Sequence, residues 1–260
     1  MDMSNIVINK GKRIGKVLFI VEGLEDEMYI LHKIFTKIFD YQYEKFNRLL
    51  KYKPYNIKEN PHSSIFVINT KESNIKDIED TDGYLDELFT KLIDEYKFPV
   101  DKSAIFYVFD RDNKSNTDTE TFEKLIKNLK SSREPNDYTY TQGLLLLSYP
   151  SIESFTASNY IENTFGIEMD TGDELKSFLH QFHQYTNQKI NESSIKLAVN
   201  EMIRAMTNIG ADDYNLDDFS DANLKIYDYE ETHYSTNKKY KLLSLLCVAL
   251  LDLGLISIED

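Results

Sequence analysis

Residues 103–112 read SAIFYVFDRD. Seven uncharged residues, rich in aromatic and β-branched types, run straight into Asp110-Arg111-Asp112. A run this short, without polar alternation and closed by charge, predicts a strand buried on both faces, as in a parallel sheet. The same pattern recurs on either side. Upstream, KVLFIV at 16–21 is closed by Glu22-Gly23, and SSIFVINT at 63–70 follows the breaker Asn60-Pro61. Downstream, GLLLLSYP occupies 143–150.

Helical patterns separate these four runs. From Asp26 to about Phe39 the apolar residues Met28, Ile30, Leu31, Ile34, Phe35 and Ile38 recur at helical spacing. Residues 82–97 repeat the pattern through Leu85, Leu88, Phe89, Leu92, Ile93 and Tyr96, and a third helix is expected from Thr119 to Leu129. A further helix is expected to start at Ile152. The order β-α-β-α-β-α-β predicts an α/β fold: a Rossmann-like parallel central sheet with right-handed crossovers, flanked by helices. This domain spans 1–164.

Residues 165–260 read differently. Helical stretches are expected at 173–187, 193–208 and, strongly apolar, 238–256, with the acidic loop GADDYNLDDFSD before the last. No strand is expected there. The reading is a helical C-terminal extension or subdomain.

The chain has 30 Lys and Arg against 44 Asp and Glu, a net charge of −14. That balance argues against strong free-standing DNA affinity, since phosphate contacts need cations. It leaves room for a metal-dependent phosphodiesterase, whose carboxylates hold ions. The single cysteine, Cys247, excludes an internal disulfide and a multi-cysteine zinc site. No signal-peptide pattern opens the sequence. The run from Leu242 to Ile258 is interrupted by Asp252 and Gly254 and is short for a membrane span. A cytoplasmic protein without a membrane partner is expected.

Ligands of open parallel sheets bind outside the carboxyl ends of the strands. Glu22 directly follows one such strand, and Asp110 and Asp112 follow another. If the two strands are neighbours, three carboxylates converge, an arrangement that is costly without a neutralising cation. Oxygen-only ligands suit Mg²⁺ or Mn²⁺. Acidic residues after strands also cap helices or sit in solvated turns, and Asp26 has the position of a cap for the first helix, with Glu25 and Glu27 favoured by its dipole.

These stretches together resemble the Toprim superfamily. VEGLEDE (21–27) is similar to its first motif, an apolar strand followed by Glu-Gly, and FDRD (109–112) to its second, Asp-x-Asp. SYPSIESF (148–155) is similar to the Asn-Pro-x-x-Glu-x-aromatic segment of standalone RloB-like Toprim proteins. Through Ser151 and Glu153 it is also similar to the Ser-x-Glu of OLD-type Toprim nucleases. Where those proteins read Glu-Gly-x-Thr-Glu, this chain has Glu25 for the Thr and Asp26 for the last acid. The resemblance spans about residues 16–156. It implies a nuclease that cleaves DNA or RNA, tRNA included, with Glu22, Asp110 and Asp112 holding Mg²⁺ (or Mn²⁺) and Asp26 and Glu153 assisting. It further implies a lysine further on, for which Lys196, Lys225, Lys238, Lys239 and Lys241 are candidates, and a place in anti-phage defence (abortive infection). The partners expected are the nucleic acid, an ATPase and a second copy of the chain as a homodimer. The competing reading is a non-catalytic partner or sensor subunit that keeps the fold and docks on an ATPase or nucleic-acid complex.

Two further features complete the reading. Lys51, Lys53 and Lys58, interleaved with Tyr and Phe, are candidate nucleic-acid contacts. His180-x-x-His183 reads as a surface or packing pair rather than a metal site.

Overall fold

The computed structural model describes residues 4–23, 25–43, 52–57, 60–69, 90, 93–94, 99, 102–112, 119–135 and 142–259. The expected helix at 82–97 and the candidates Lys51 and Lys58 lie almost wholly or wholly outside them, and Lys53 is described only by its backbone place in a strand.

Four strands form a parallel core: β2 (Lys16–Val21), β5 (Asn60–Asn69), β6 (Ser103–Asp110) and β8 (Gln142–Tyr149). β2 pairs with β5 on one side and β6 on the other, and β6 pairs with β8, all in parallel. These are the four apolar runs. β2 and β6 are buried nearly throughout because helices cover both faces of the sheet. Phe19 and Phe106 stack across the β2–β6 pair, ring centres 5.1 Å apart.

The sheet is mixed rather than purely parallel. β3 (Gln42–Tyr43) and β4 (Tyr52–Ile57) extend the β5 edge in antiparallel fashion, so the insertion before the second core strand is part of the sheet. β7 (Lys130–Pro135) lies antiparallel to β8. Gly143, at φ +136°, lies so close to Tyr107 that a Cβ there would fall 2.3 Å from the ring, which makes glycine the residue the β6–β8 contact requires.

Helix α1 (Asp26–Lys33) runs into a wider turn at Ile34–Ile38 and buries Ile30, Leu31, Ile34, Phe35 and Ile38 against the sheet. α2 (Thr119–Asn128) follows β6, and α3 (Glu153–Ser158) follows β8. Four further helices follow among the described residues: α4 (Gly172–His180), α5 (Glu192–Ile209), α6 (Ser220–Asn237) and α7 (Leu246–Asp252). α5 starts on a reciprocal cap between Asn191 and Ser194 and stops at Gly210 in the left-handed conformation.

The C-terminal part is not purely helical. β9 (Glu168–Met169) pairs with β10 (Tyr240–Lys241). β11 (Leu243–Ser244) joins the central sheet antiparallel to β8. β12 (Ile256–Glu259) pairs with β1 (Asn5–Ile8) near the start of the chain. The expected helix at 238–256 therefore contracts to α7, because its first turns are taken by two short strands. α6 was not foreseen: its buried residues include Asn223 and Glu230, so no clean apolar stripe marks it. One hydrophobic cluster runs from Ile6 to Ile256, joining both parts of the chain, and Cys247 is buried in it. Among the described residues no helix is long and apolar enough to cross a membrane.

Candidate functional site

β2 sends the chain to β5 on one side and lies beside β6 on the other, so strand order reverses between β2 and β6. That reversal opens a crevice at their carboxyl ends, the place where such sheets bind ligands. Val21 is level with Val108, and Asp110 is level with Ser148 on β8. Glu22 and Asp110 are therefore neighbours at the crevice. The backbone N–H of Asp110 donates to Glu22 Oε2 at 2.9 Å, and Glu22 is only 7% exposed.

Asp110 Oδ1 in turn accepts from the backbone N–H of Ile152 at 2.8 Å, where β8 turns into α3. This contact brings Glu153 to the same locus. Its Oε2 accepts from Ser151 Oγ at 2.7 Å, so the Ser151-x-Glu153 pair is a physical contact as well as a spacing.

A carboxylate not among the expected ligands completes the cluster. Glu27, 6% exposed, folds back so that its Oε1 accepts from the Gly23 N–H at 3.1 Å. A Cβ on Gly23 would lie 2.5 Å from the other Glu27 oxygen, so the glycine makes room for it. The sequence held a signal for this: Glu27 stands four residues before Leu31 and seven before Ile34, on the apolar stripe of α1.

The charges oppose one another. Burial, then Glu27 and Asp112, raise the Glu22 carboxyl to about 7 against its hydrogen bond from Asp110. Burial, then Glu22, Glu27 and Glu153, raise Asp110 well above the usual carboxylate range. Glu27 is raised by burial and by Glu153 and Asp26. Asp112 is half-buried and belongs to this field through Glu22.

Asp26 stands at the rim. Its Oδ2 pairs with Lys176 Nζ at 2.6 Å, and Lys176 also lies 3.6 Å from Glu153. Lys176 comes from α4, which the strand–helix motifs do not mark. Of the five lysines considered from sequence, Lys241 pairs with Glu168, Lys225 donates to the Gly210 carbonyl and Lys238 lies over the Tyr234 ring.

Arg111, between the two aspartates, points the other way. Its backbone N–H donates to the Ser148 carbonyl at 2.9 Å, and its side chain is fully buried. The guanidinium pairs with Glu231 at 2.8 Å and packs over Phe122, Tyr227 and Tyr240, 4.6, 5.7 and 6.0 Å from the ring centres. The turn that carries Asp110 and Asp112 is thereby anchored in α2, α6 and β10.

The donors at the crevice are all carboxylate oxygens, the set a hard divalent cation takes. Among the described residues, no three His, Cys, Asp or Glu side chains are already gathered in metal-holding geometry; Glu22 and Asp110 each accept one backbone N–H. Comparison with known proteins returns no match: no family model, no curated protein and no solved structure is similar to this chain.

Proposed function

We propose that the chain is a Mg²⁺- or Mn²⁺-dependent nuclease of Toprim type that cleaves phosphodiester bonds in DNA or RNA. The observation that carries this reading is the Asp110–Glu22 contact at the β2–β6 crevice, inside a cluster of buried, mutually repelling carboxylates. Such a cluster costs stability unless its charge is neutralised, and its donors fit a hard cation. Glu22, Asp110 and Asp112 would hold the ion, with Glu27 added to the expected set and Glu153 alongside. When bound, the ion supplies positive charge to the phosphodiester oxygens and makes water more acidic. Ile152 N–H and Asp110 N–H hold two of the carboxylates in place, and Lys176 offsets the charge of Asp26 and Glu153 at the rim.

Incubation with labelled plasmid, single-stranded DNA and total tRNA, in Mg²⁺ or Mn²⁺, beside Asp110→Ala, tests the proposal. Cleavage by the wild type and none by the variant is expected. Cleavage of none of the three, or equal cleavage by both proteins, overturns it. The role of an anti-phage effector working beside an ATPase belongs to the same proposal. A second reading, a non-catalytic subunit docking on an ATPase or nucleic-acid complex, is favoured by one observation: no three-ligand set is preformed among the described residues.

A further inference from the structure

A groove of about 470 Å³ opens beside the carboxylate cluster, and Asp26 and Glu153 line both. Its volume lies within the roughly 300–1,000 Å³ of small-molecule sites. Its lining includes the aromatic residues Tyr29 from α1 and Phe182 and Tyr185 from the segment after α4, together with Lys176, His180 and His183.

The aromatic lining is rigid. The Tyr185 ring lies 4.9 Å from that of Phe182 and is stacked at 17° on Tyr160, centres 5.6 Å apart. The segment that carries it is pinned by Tyr160, whose hydroxyl donates to the Thr186 carbonyl at 2.6 Å, and by Thr156, whose hydroxyl donates to Asn187 at 2.5 Å. His180 and His183 are exposed, line the groove, and their imidazoles make no hydrogen bond or ion pair among the described residues.

We infer that this groove receives one unpaired nucleotide of a single-stranded nucleic acid, the base against Tyr185 and Phe182 and the phosphate toward His180 and His183. The inference rests on the nuclease reading and specifies its substrate. Three arguments favour this occupant. Base faces are available to aromatic side chains only when a base is unstacked. A net charge of −14 weakens phosphate contacts on balance, so base stacking adds affinity that they do not supply. The groove also shares Asp26 and Glu153 with the carboxylate cluster, so a strand seated in it passes beside that cluster.

The full chain in EDTA, where cleavage is stopped, is titrated against fluorescent oligo-dT, oligo-U and a duplex of equal length, followed by anisotropy. Tyr185→Leu and His183→Ala are measured beside the wild type. The wild type should prefer a single strand to the duplex, and oligo-dT against oligo-U reports which sugar is accepted. Each variant should lose at least about fivefold in affinity, the lower end for loss of one base–aromatic stack or a phosphate contact. His183 is exposed, so its variant decides the matter if Tyr185→Leu does not fold. Equal affinities of wild type and His183→Ala, or no single-strand binding, overturn the groove assignment. Cleavage by the wild type but not by Asp110→Asn would still uphold the nuclease reading in that case. Single-strand binding that the variants weaken, without any cleavage, keeps the groove and discards the nuclease.

Discussion

The backbone N–H of Asp110 hydrogen-bonds the carboxylate of Glu22 across two adjacent parallel strands, at residues 88 positions apart in sequence. The bond places two acids side by side with little solvent to screen them. Its energetic sign follows: the amide favours the charged Glu22, while burial and the neighbouring acids oppose it.

Replacing Asp110 by Asn should therefore leave stability unchanged or raise it by roughly 0–2 kcal/mol, as is common where a site's chemistry works against folding. Asn still offers an oxygen to the Ile152 N–H, so the turn into α3 survives. Added Mg²⁺ should raise the melting temperature of the wild type by mass action and leave the variant unmoved. Thermal melts of both proteins, with and without Mg²⁺, check this. An equal metal response in the two, or a marked loss of stability in the variant, would refute the site.

Arg111 predicts the opposite behaviour. Removing a buried partner strands the other charge, at a cost of about 3–5 kcal/mol when both are buried. Glu231 keeps some solvent contact, its side chain 19% exposed, so Arg111→Ala should cost less, about 2–4 kcal/mol including the lost aromatic packing. Arg111→Lys keeps the charge without the planar fork and should fall between variant and wild type. Urea denaturation gives the order directly.

Glu230 supplies a pH test away from the crevice. Burial raises its carboxyl to about 8; Oε2 accepts from the Lys241 N–H at 3.0 Å, and Oε1 is buried with no partner among the described residues. Below the ordinary value of 4.5 the group is protonated folded and unfolded, and contributes nothing. Between 4.5 and about 8 the unfolded chain ionises first, so stability is lost as pH rises, on the order of a few kcal/mol in total. Glu230→Gln should remove that loss. The variant should be more stable than the wild type at pH 8 and equal to it near pH 4. Denaturation at the two pH values measures the difference, and a gap that does not grow with pH would contradict the assignment.

At Gly143 the expected effect is purely steric. An alanine meets the Tyr107 ring at 2.3 Å and must hold φ +136°. Overpacking and backbone strain each cost about 1–3 kcal/mol, so Gly143→Ala should destabilise by about 2–5 kcal/mol, seen as a lower denaturation midpoint.

The parallel core was legible because burial on both faces forces continuous apolar runs, and KVLFIV and SAIFYVF announce themselves together with the acids that end them. Glu22 and Asp110 could be named for the same reason, since topology carries strand ends to one edge, whereas the Ser151–Glu153 pair could be named only through the resemblance to Toprim proteins. Lys176 could not be named, because only the docking of α4 brings it to Asp26. The strands β9–β12 escaped notice at two to four residues each, too short to show alternation. α6 escaped because its buried face carries Asn223, bonded to the Leu145 carbonyl, and Glu230, where a stripe of leucines would have been expected.

Arg111 also fixes an order of events during synthesis. The ribosome delivers the Asp110–Asp112 turn well before Tyr227, Glu231 and Tyr240, the groups that hold its arginine. A nascent chain that has already emerged past β8 can pair its strands, yet it still lacks the anchor for that turn. Completion of the crevice thus waits until the chain has been made through Tyr240, and a growing chain carries the carboxylates before it carries the means to aim them.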